Sequence, residues 1–135
     1  MEIRQYLVIS VLIISYVFSQ AAKPTVAILD FEGQGVDPSE VQTLSERMRT
    51  EIGNTNAVRL IERKAVEKIM MEQGLQQSGC TSDECAAEVG QLLGVQFMIS
   101  GAIGKLGDTY TIDAKMFEVA TGAAAKTKNT TYVGK

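Results

Sequence analysis

The chain has 135 residues, of which 13 are basic and 16 are acidic, and its net charge is −3 at pH 7. This charge gives no broad positive surface for nucleic acid or for an anionic membrane. The chain contains no histidine, so Ser-His-Asp and Cys-His catalysis are excluded. Hydrophobic residues make up 45%, which indicates a folded domain rather than a disordered chain.

The N-terminus has the pattern of a secretory signal peptide. An apolar run at residues 6–18 is shorter than the roughly 20 residues that span a bilayer. The small residues in the following "SQA" match a signal peptidase site, so we expect cleavage after Ala21 or Ala22. An uncleaved anchor is the alternative. No cysteine lies near this point, so a lipid anchor is not expected, and residues 22–135 are expected to form one domain.

The first half of this domain alternates strands and helices. The apolar "TVAILDF" predicts a buried strand, and a Gly-rich loop follows it. Asp37 or Ser39 is expected to cap the next helix, with Pro38 in its first turn. Three further elements are predicted: a strand over Ala57–Arg63, a helix over Lys64–Gln73, and a helix within "TSDECAAEVGQLLG".

Three alternating segments make up the second half. Strands are predicted over Val95–Lys105, Tyr110–Val119 and Ala123–Val133, and tight glycine turns separate them. The element order is therefore β-α-β-α-α-β-β-β. This order predicts a single-domain α/β sandwich with a mixed sheet, a C-terminal antiparallel meander, and helices over one or both faces.

The two cysteines, Cys80 and Cys85, flank the predicted start of the third helix. With Thr81 as the N-cap, Glu84 completes a capping box, and the two cysteines occupy the contacting positions of a hydrophobic staple. In an oxidising compartment we expect them to form a structural disulfide. A redox pair is the alternative, although the spacing is not Cys-x-x-Cys and Asp83 and Glu84 oppose a thiolate. A metal site would need further ligands.

Two other features are candidate sites. The Gly33–Gly35 loop lies between a strand and a helix, where phosphate-binding loops occur, but Pro38 stands where the third glycine of that fingerprint belongs. A flexible loop is the preferred interpretation, and a ligand-binding module is the alternative. Asp30 ends the first strand and is expected to organise the following loop. No catalytic, cofactor-binding or metal-binding residue is predicted.

The order of these motifs resembles the curli production assembly/transport component (CsgG-like) family. The resemblance covers nearly all of residues 22–135. It rests on Asp30-Phe31, Ile61 to Arg63, Glu72-Gln73 before Ser78-Gly79, Gly90, Leu93-Gly94, Gly101 and Thr121-Gly122.

The resemblance implies a periplasmic α/β domain in a bacterium with an outer membrane. Relatives act in curli subunit export, in flagellar accessory roles and in activation of peptidoglycan synthases, and none is an enzyme through this domain. The chain lacks a lipidated cysteine, and its length leaves little room for membrane-inserting hairpins. We therefore expect a minimal soluble version, without a membrane span after signal cleavage, and association with the outer membrane is left open.

The function hypothesis is a non-enzymatic scaffold that aids assembly or export of an envelope component, as in curli-type secretion. Its partner would be an envelope protein or a second copy, not nucleic acid. A thiol-disulfide protein and a regulator of a peptidoglycan synthase are the alternatives. An open edge strand and the Gly-rich loop are the candidate contacts. The residues are Glu32, Gly33, Gln34, Gly35, Lys126, Lys128, Thr130 and Tyr132.

Overall fold

The computed structural model describes residues 22–75, 80 and 82–134, together with Ile3. The predicted signal peptide, residues 1–21, therefore lies outside the described residues apart from Ile3. The same is true of Thr81, the predicted N-cap of the third helix.

Six strands and three helices are described in residues 22–134. In chain order they are β1 (Thr25–Ile28), β2 (Glu32–Gln34), α1 (Pro38–Asn54), β3 (Arg59–Leu60), α2 (Arg63–Glu72), α3 (Asp83–Leu93), β4 (Phe97–Leu106), β5 (Thr109–Glu118) and β6 (Ala124–Val133). The predicted α/β class and the C-terminal meander are confirmed. The structure adds one short strand, β2, inside the segment predicted as a Gly-rich loop.

The strands form one mixed sheet with the order β3-β1-β4-β5-β6, and β2 also pairs with β4. Strand β1 is parallel to β3 and to β4, and β2 is parallel to β4. Strands β4, β5 and β6 are antiparallel to their sequence neighbours. The predicted strand Ala57–Arg63 was too long. Only Arg59 and Leu60 pair with β1, and the next helix already begins at Arg63.

Strands β1 and β2 both pair with β4, but the register of the pairing shifts between them. Ile28 pairs with Ile99, whereas Glu32 pairs with Ala102. Residues 29–31 therefore stand opposite residues 100–101, which is the arrangement of a β-bulge. A bulge redirects side chains, and this one contains Asp30.

Helices cover both faces of the sheet. On one face α1 packs on Val26, Ile28, Phe31 and Ile103, through side chains that include Val41. On the other face α2 and α3 pack through Val66, Met70, Ala86 and Val89 onto a cluster that contains Ala27, Leu29, Met98 and Phe117. This explains why the β1 sequence is apolar at successive positions, since both of its faces are buried.

The first turns of α1 and α3 are capped by side chains, whereas the N-cap of α2, Glu62, makes no such hydrogen bond. Asp37 caps α1 as predicted, because its side chain accepts a hydrogen bond from the Ser39 amide, and Pro38 lies in the first turn. The N-cap of α3 is Ser82 rather than Thr81, since Ser82 Oγ accepts from the Cys85 amide at 3.1 Å. Glu84 is therefore one position too early for the predicted capping box.

No helix in the described ranges is both long enough and apolar enough to cross a bilayer.

Candidate functional site

The predicted contact residues lie on two strands that are not adjacent. Glu32, Gly33 and Gln34 form β2, which pairs with β4. Gly35 directly follows β2. The other four residues lie on β6, at the edge of the sheet, and β5 separates them from β4. The structure therefore gives two separate surfaces rather than one combined site.

Strand β6 is a long edge strand. It is 10 residues long, and all of them are exposed. Lys126, Lys128, Thr130 and Tyr132 pair with Met116, Ala114, Ile112 and Tyr110 of β5. Because successive side chains point to opposite faces of a strand, these four share one face of the sheet. The predicted contacts on β6 therefore form a single stripe.

That stripe borders an apolar groove on the α1 face of the sheet. The groove has a volume of about 440 Å³ and is lined by Ser39, Glu40, Thr43, Leu44, Ile103, Tyr110, Ile112 and Tyr132. Leu44 on one wall and Tyr132 on the other remain 39% and 65% exposed. At one end Lys105 Nζ lies 4.8 Å from the centroid of the Tyr110 ring, a cation–π contact between β4 and β5.

The loop around β2 is organised by the helix that follows it. Gly35 has φ +71°, and a Cβ there would lie 2.8 Å from the Lys105 carbonyl oxygen, so this position requires glycine. The Asp37 carboxylate accepts from the amide and hydroxyl of Ser39 at 2.8 and 2.5 Å, and these bonds lower the pKa of Asp37. A carboxylate already occupies this helix N-terminus, which weighs against the phosphate-loop interpretation.

An ion-pair network lies at the end of β1, and it was not predicted from the sequence. Asp30 accepts from Arg49 Nη2 at 2.5 Å and from Arg63 Nη2 at 2.8 Å. Glu46 Oε1 lies 2.8 Å from Arg49 Nη1 and 3.2 Å from Arg63 Nε, and Glu67 Oε1 lies 3.1 Å from Arg63 Nη2. Asp30 therefore joins α1 to the start of α2, the helices that cover opposite faces of the sheet.

The network holds Asp30 in its charged form. Burial works to raise the pKa of Asp30, but hydrogen bonds and charges from Arg63 and Arg49 outweigh it, so the pKa is lowered. Arg49 is the most buried member, with a side chain 7% exposed, and it also donates to the Ile28 carbonyl at 3.0 Å. A signal existed in the sequence: Ser45 and Arg49 follow Val41 at helical spacing and are buried with it.

The two cysteines meet as expected. Their sulfur atoms lie at disulfide distance, and their Cα atoms are 5.4 Å apart. Cys80 is only 5% exposed and packs in the core beneath α2 and α3.

Close by, Lys115 on β5 pairs with Asp83 at 2.9 Å, which fixes the first turn of α3 to the sheet. Within the described ranges, no group of three or more Cys, Asp or Glu residues is placed to hold a metal ion.

Comparisons with known proteins give one family match. The model of the family described as "Curli production assembly/transport component CsgG" matches residues 7–111, which is 105 of 135 residues. No curated protein matches the chain.

Several solved structures share the fold at low sequence identity. The C-terminal domain of LpoB from Escherichia coli superposes with a TM-score of 0.70 at 11% identity, over 84% of this chain and 85% of that chain. Lipoprotein GNA1162 from Neisseria meningitidis superposes with a TM-score of 0.70 at 9% identity, over 82% of this chain and 80% of that chain. The PelC dodecamer from Paraburkholderia phytofirmans superposes with a TM-score of 0.53 at 14% identity, over 84% of this chain and 75% of that chain.

Proposed function

We propose, given that the chain belongs to the curli production assembly/transport component CsgG family, that it is a binding and scaffold domain of the cell envelope. It would act in the periplasm after removal of residues 1–21. Its role would be to help assemble or export an envelope component, as an accessory to curli-type secretion. It would do so through surface contacts rather than catalysis.

The observation that carries this proposal is the match of the CsgG family model across most of the chain. The name of this family includes both assembly and transport. Among the proteins that share the fold, GNA1162 is a lipoprotein and PelC forms a dodecamer. These two properties support an envelope location and a role in which copies of the chain associate.

The surface supports a contact role in two ways. Among the described strands, the exposed strand β6 ends the sheet, and the edge of such a strand can accept a strand from a partner. The groove beside it combines aromatic and aliphatic side chains with a few polar groups, which suits a protein segment. By contrast, the charged residues Asp30, Arg49 and Arg63 are engaged with one another, as expected for a structural network.

The proposal is tested in cells by crosslinking of the tagged full-length chain, followed by mass spectrometry of captured proteins. We expect capture of an outer-membrane or secretion component from the periplasmic side. We also expect the intact mass of the protein to match a chain that begins after residue 21 or 22. Capture of a peptidoglycan synthase would instead favour the regulator alternative. Recovery of the protein in the cytoplasm, with no envelope component captured, would contradict the proposal.

A matched pair of variants shows whether β6 makes the contact. Thr131→Pro removes an amide from the open edge, whereas Thr43→Ala removes an exposed hydroxyl from α1 on the other wall of the groove. Loss of the captured component in Thr131→Pro alone would support an edge-strand contact. Equal capture by both variants, each shown to be folded, would assign the contact to another surface.

A further inference from the structure

We propose that the groove between α1 and β6 binds an amphipathic helix of a protein partner, with acidic residues along the side of that helix that faces β6. This site rests on the proposed function and deepens it, because it specifies the chemistry of the partner segment. The groove lies on the α1 face of the sheet, so it is distinct from the backbone edge of β6. The two contacts can therefore be tested separately.

The floor of the groove is an apolar surface that α1 covers only in part. Tyr110, Ile112 and Ala114 of β5 pack against the cluster beneath α1, yet they remain half-buried. Met116 continues the same row, since residues two apart on a strand share a face. All ten residues of β6 are exposed, so no helix in the described ranges covers this strand. The outer two strands therefore leave an uncovered floor beside α1.

The dimensions of this floor match one α-helix. Helix α1 packs on β1 and β4 through Val26, Ile28 and Ile103, and β5 and β6 are the next two strands of the sheet. Two strand spacings are about 9.6 Å, within the roughly 8–10 Å that separates the axes of packed helices. A helix packed beside α1 would therefore lie over β5 and β6. Along β5, the row from Tyr110 to Met116 is about 20 Å long, the length of about 14 helical residues.

A helix suits this floor better than an extended segment does. The side chains of Ile112, Ala114 and Met116 offer no strong hydrogen-bonding group, so an extended segment lying flat on them would bury backbone amides and carbonyls without partners. A helix satisfies those groups internally and can turn one apolar stripe toward the floor. It would also pack between the exposed side chains of Leu44 on α1 and Tyr132 on β6.

The lysines of β6 define the charge that the partner should carry. Lys126 and Lys128 border the outer side of the floor, and within the described ranges neither is paired with a carboxylate. On α1, by contrast, Arg47 is already paired with Glu51 at 3.4 Å. Residues two apart on a strand are separated by about 7 Å, and helix positions i and i+4 by about 6 Å along the axis. A partner helix with Asp or Glu at i and i+4 would therefore place one carboxylate at each lysine.

The site is tested in cells with a photo-crosslinking residue on each face of β6. p-Benzoylphenylalanine in place of Tyr132 samples the groove, and in place of Thr131 it samples the opposite face of the strand. After irradiation, mass spectrometry identifies the peptide joined to the chain. At position 132 we expect a segment of another protein with apolar residues at helical spacing and two acidic residues four apart.

Four results of this experiment would overturn the helix site. They are a joined lipid, a joined second copy of this chain, a joined segment with the apolar–polar alternation of a strand, and no joined peptide at position 132. Equal joining of one peptide at positions 131 and 132 would overturn it as well, since those side chains lie on opposite faces.

The role of the lysines is tested with the joined segment made as a synthetic peptide. Lys126→Glu with Lys128→Glu replaces two attractions by two repulsions, so the Kd from fluorescence anisotropy should rise about tenfold or more. Lys64→Glu with Lys68→Glu makes the same charge change on the exposed side of α2 and should leave the Kd unchanged. Because salt screens exposed charges, binding to the wild-type chain should weaken as salt rises.

No binding of this peptide to the wild-type chain would overturn the site. An unchanged Kd for the Lys126 and Lys128 variant, shown by circular dichroism to be folded, would overturn the assigned charge of the partner. Either result, with capture of an envelope component by the unmodified chain, would leave the proposed function standing.

Discussion

Replacing Asp30 with asparagine is expected to destabilise the fold by about 3 kcal/mol. The side chain of Arg49 is 7% exposed, and it would lose the carboxylate that lies 2.5 Å from Nη2. Removing one partner of a buried ion pair typically costs about 3–5 kcal/mol. The lower end applies here, because Arg49 keeps the Ile28 carbonyl at 3.0 Å and Glu46 at 2.8 Å.

Urea denaturation followed by circular dichroism measures this loss, and Arg63→Gln is the matched control. The Arg63 side chain is 29% exposed, so its removal should cost only about 1 kcal/mol. In thermal unfolding, the Asp30 variant should melt roughly 10 °C lower. If Asp30→Asn cost less than about 1 kcal/mol, or no more than Arg63→Gln, the interpretation of Asp30 as the link between two helix layers would be wrong.

The same residue gives a pH dependence with a defined sign. The pKa of Asp30 is lower in the folded chain than its usual value of 3.8, so its contribution is fully present above that value. The contribution should disappear as the pH falls through the folded-state pKa. The stability difference between wild type and Asp30→Asn should therefore be constant near neutrality and shrink below about pH 4. A difference that grew on acidification would contradict the assigned charge state.

Three further predictions concern packing, the cysteines and the α3 cap. Gly101→Val should destabilise the fold by at least about 2 kcal/mol, because even a Cβ would press on the Asp113 carbonyl and lie 2.6 Å from the ring of Phe31. An unchanged free energy of unfolding in urea denaturation would refute this. Replacing both cysteines, Cys80→Ser with Cys85→Ser, should lower the free energy of unfolding by about 2 kcal/mol, the loop entropy of so short a disulfide. The wild-type pair should have a reduction potential below about −300 mV, and a higher potential would favour the thiol-disulfide alternative. Ser82→Ala should cost about 1 kcal/mol, since Ser82 caps α3, and thermal unfolding would show it.

Long periodic segments were the part of the fold that the sequence predicted well. The three C-terminal strands were placed within about two residues because their alternation and glycine turns are local signals. Asp37 was identified as a cap for the same reason, since the cap, the proline and the helix are adjacent in sequence. The approach of Cys80 to Cys85 also followed from local spacing, and it survived the one-residue error in the position of the N-cap.

What the sequence did not predict depends on contacts between distant segments. The bulge at residues 29–31 is defined only by the register of β1 and β2 against β4. The partners of Asp30, Arg49 and Arg63, are 19 and 33 residues away in the sequence, so no local spacing indicates these ion pairs. Strand β3 was predicted too long because its apolar composition indicates burial, whereas only two of its residues reach β1.

Charged residues therefore have two different roles in this chain. Arg49 is buried, Asp30 is half-buried, and the two are paired with each other, so mutating either is expected to change stability first. Lys126 and Lys128 are exposed on an edge, where lysine usually discourages pairing with another strand. From Lys126 to Tyr132, however, the even-numbered residues bond to β5, and the amides and carbonyls of the odd-numbered residues face outward. The two lysines therefore leave those hydrogen-bonding groups accessible, and their charge opposes only the alignments that would set lysine against lysine.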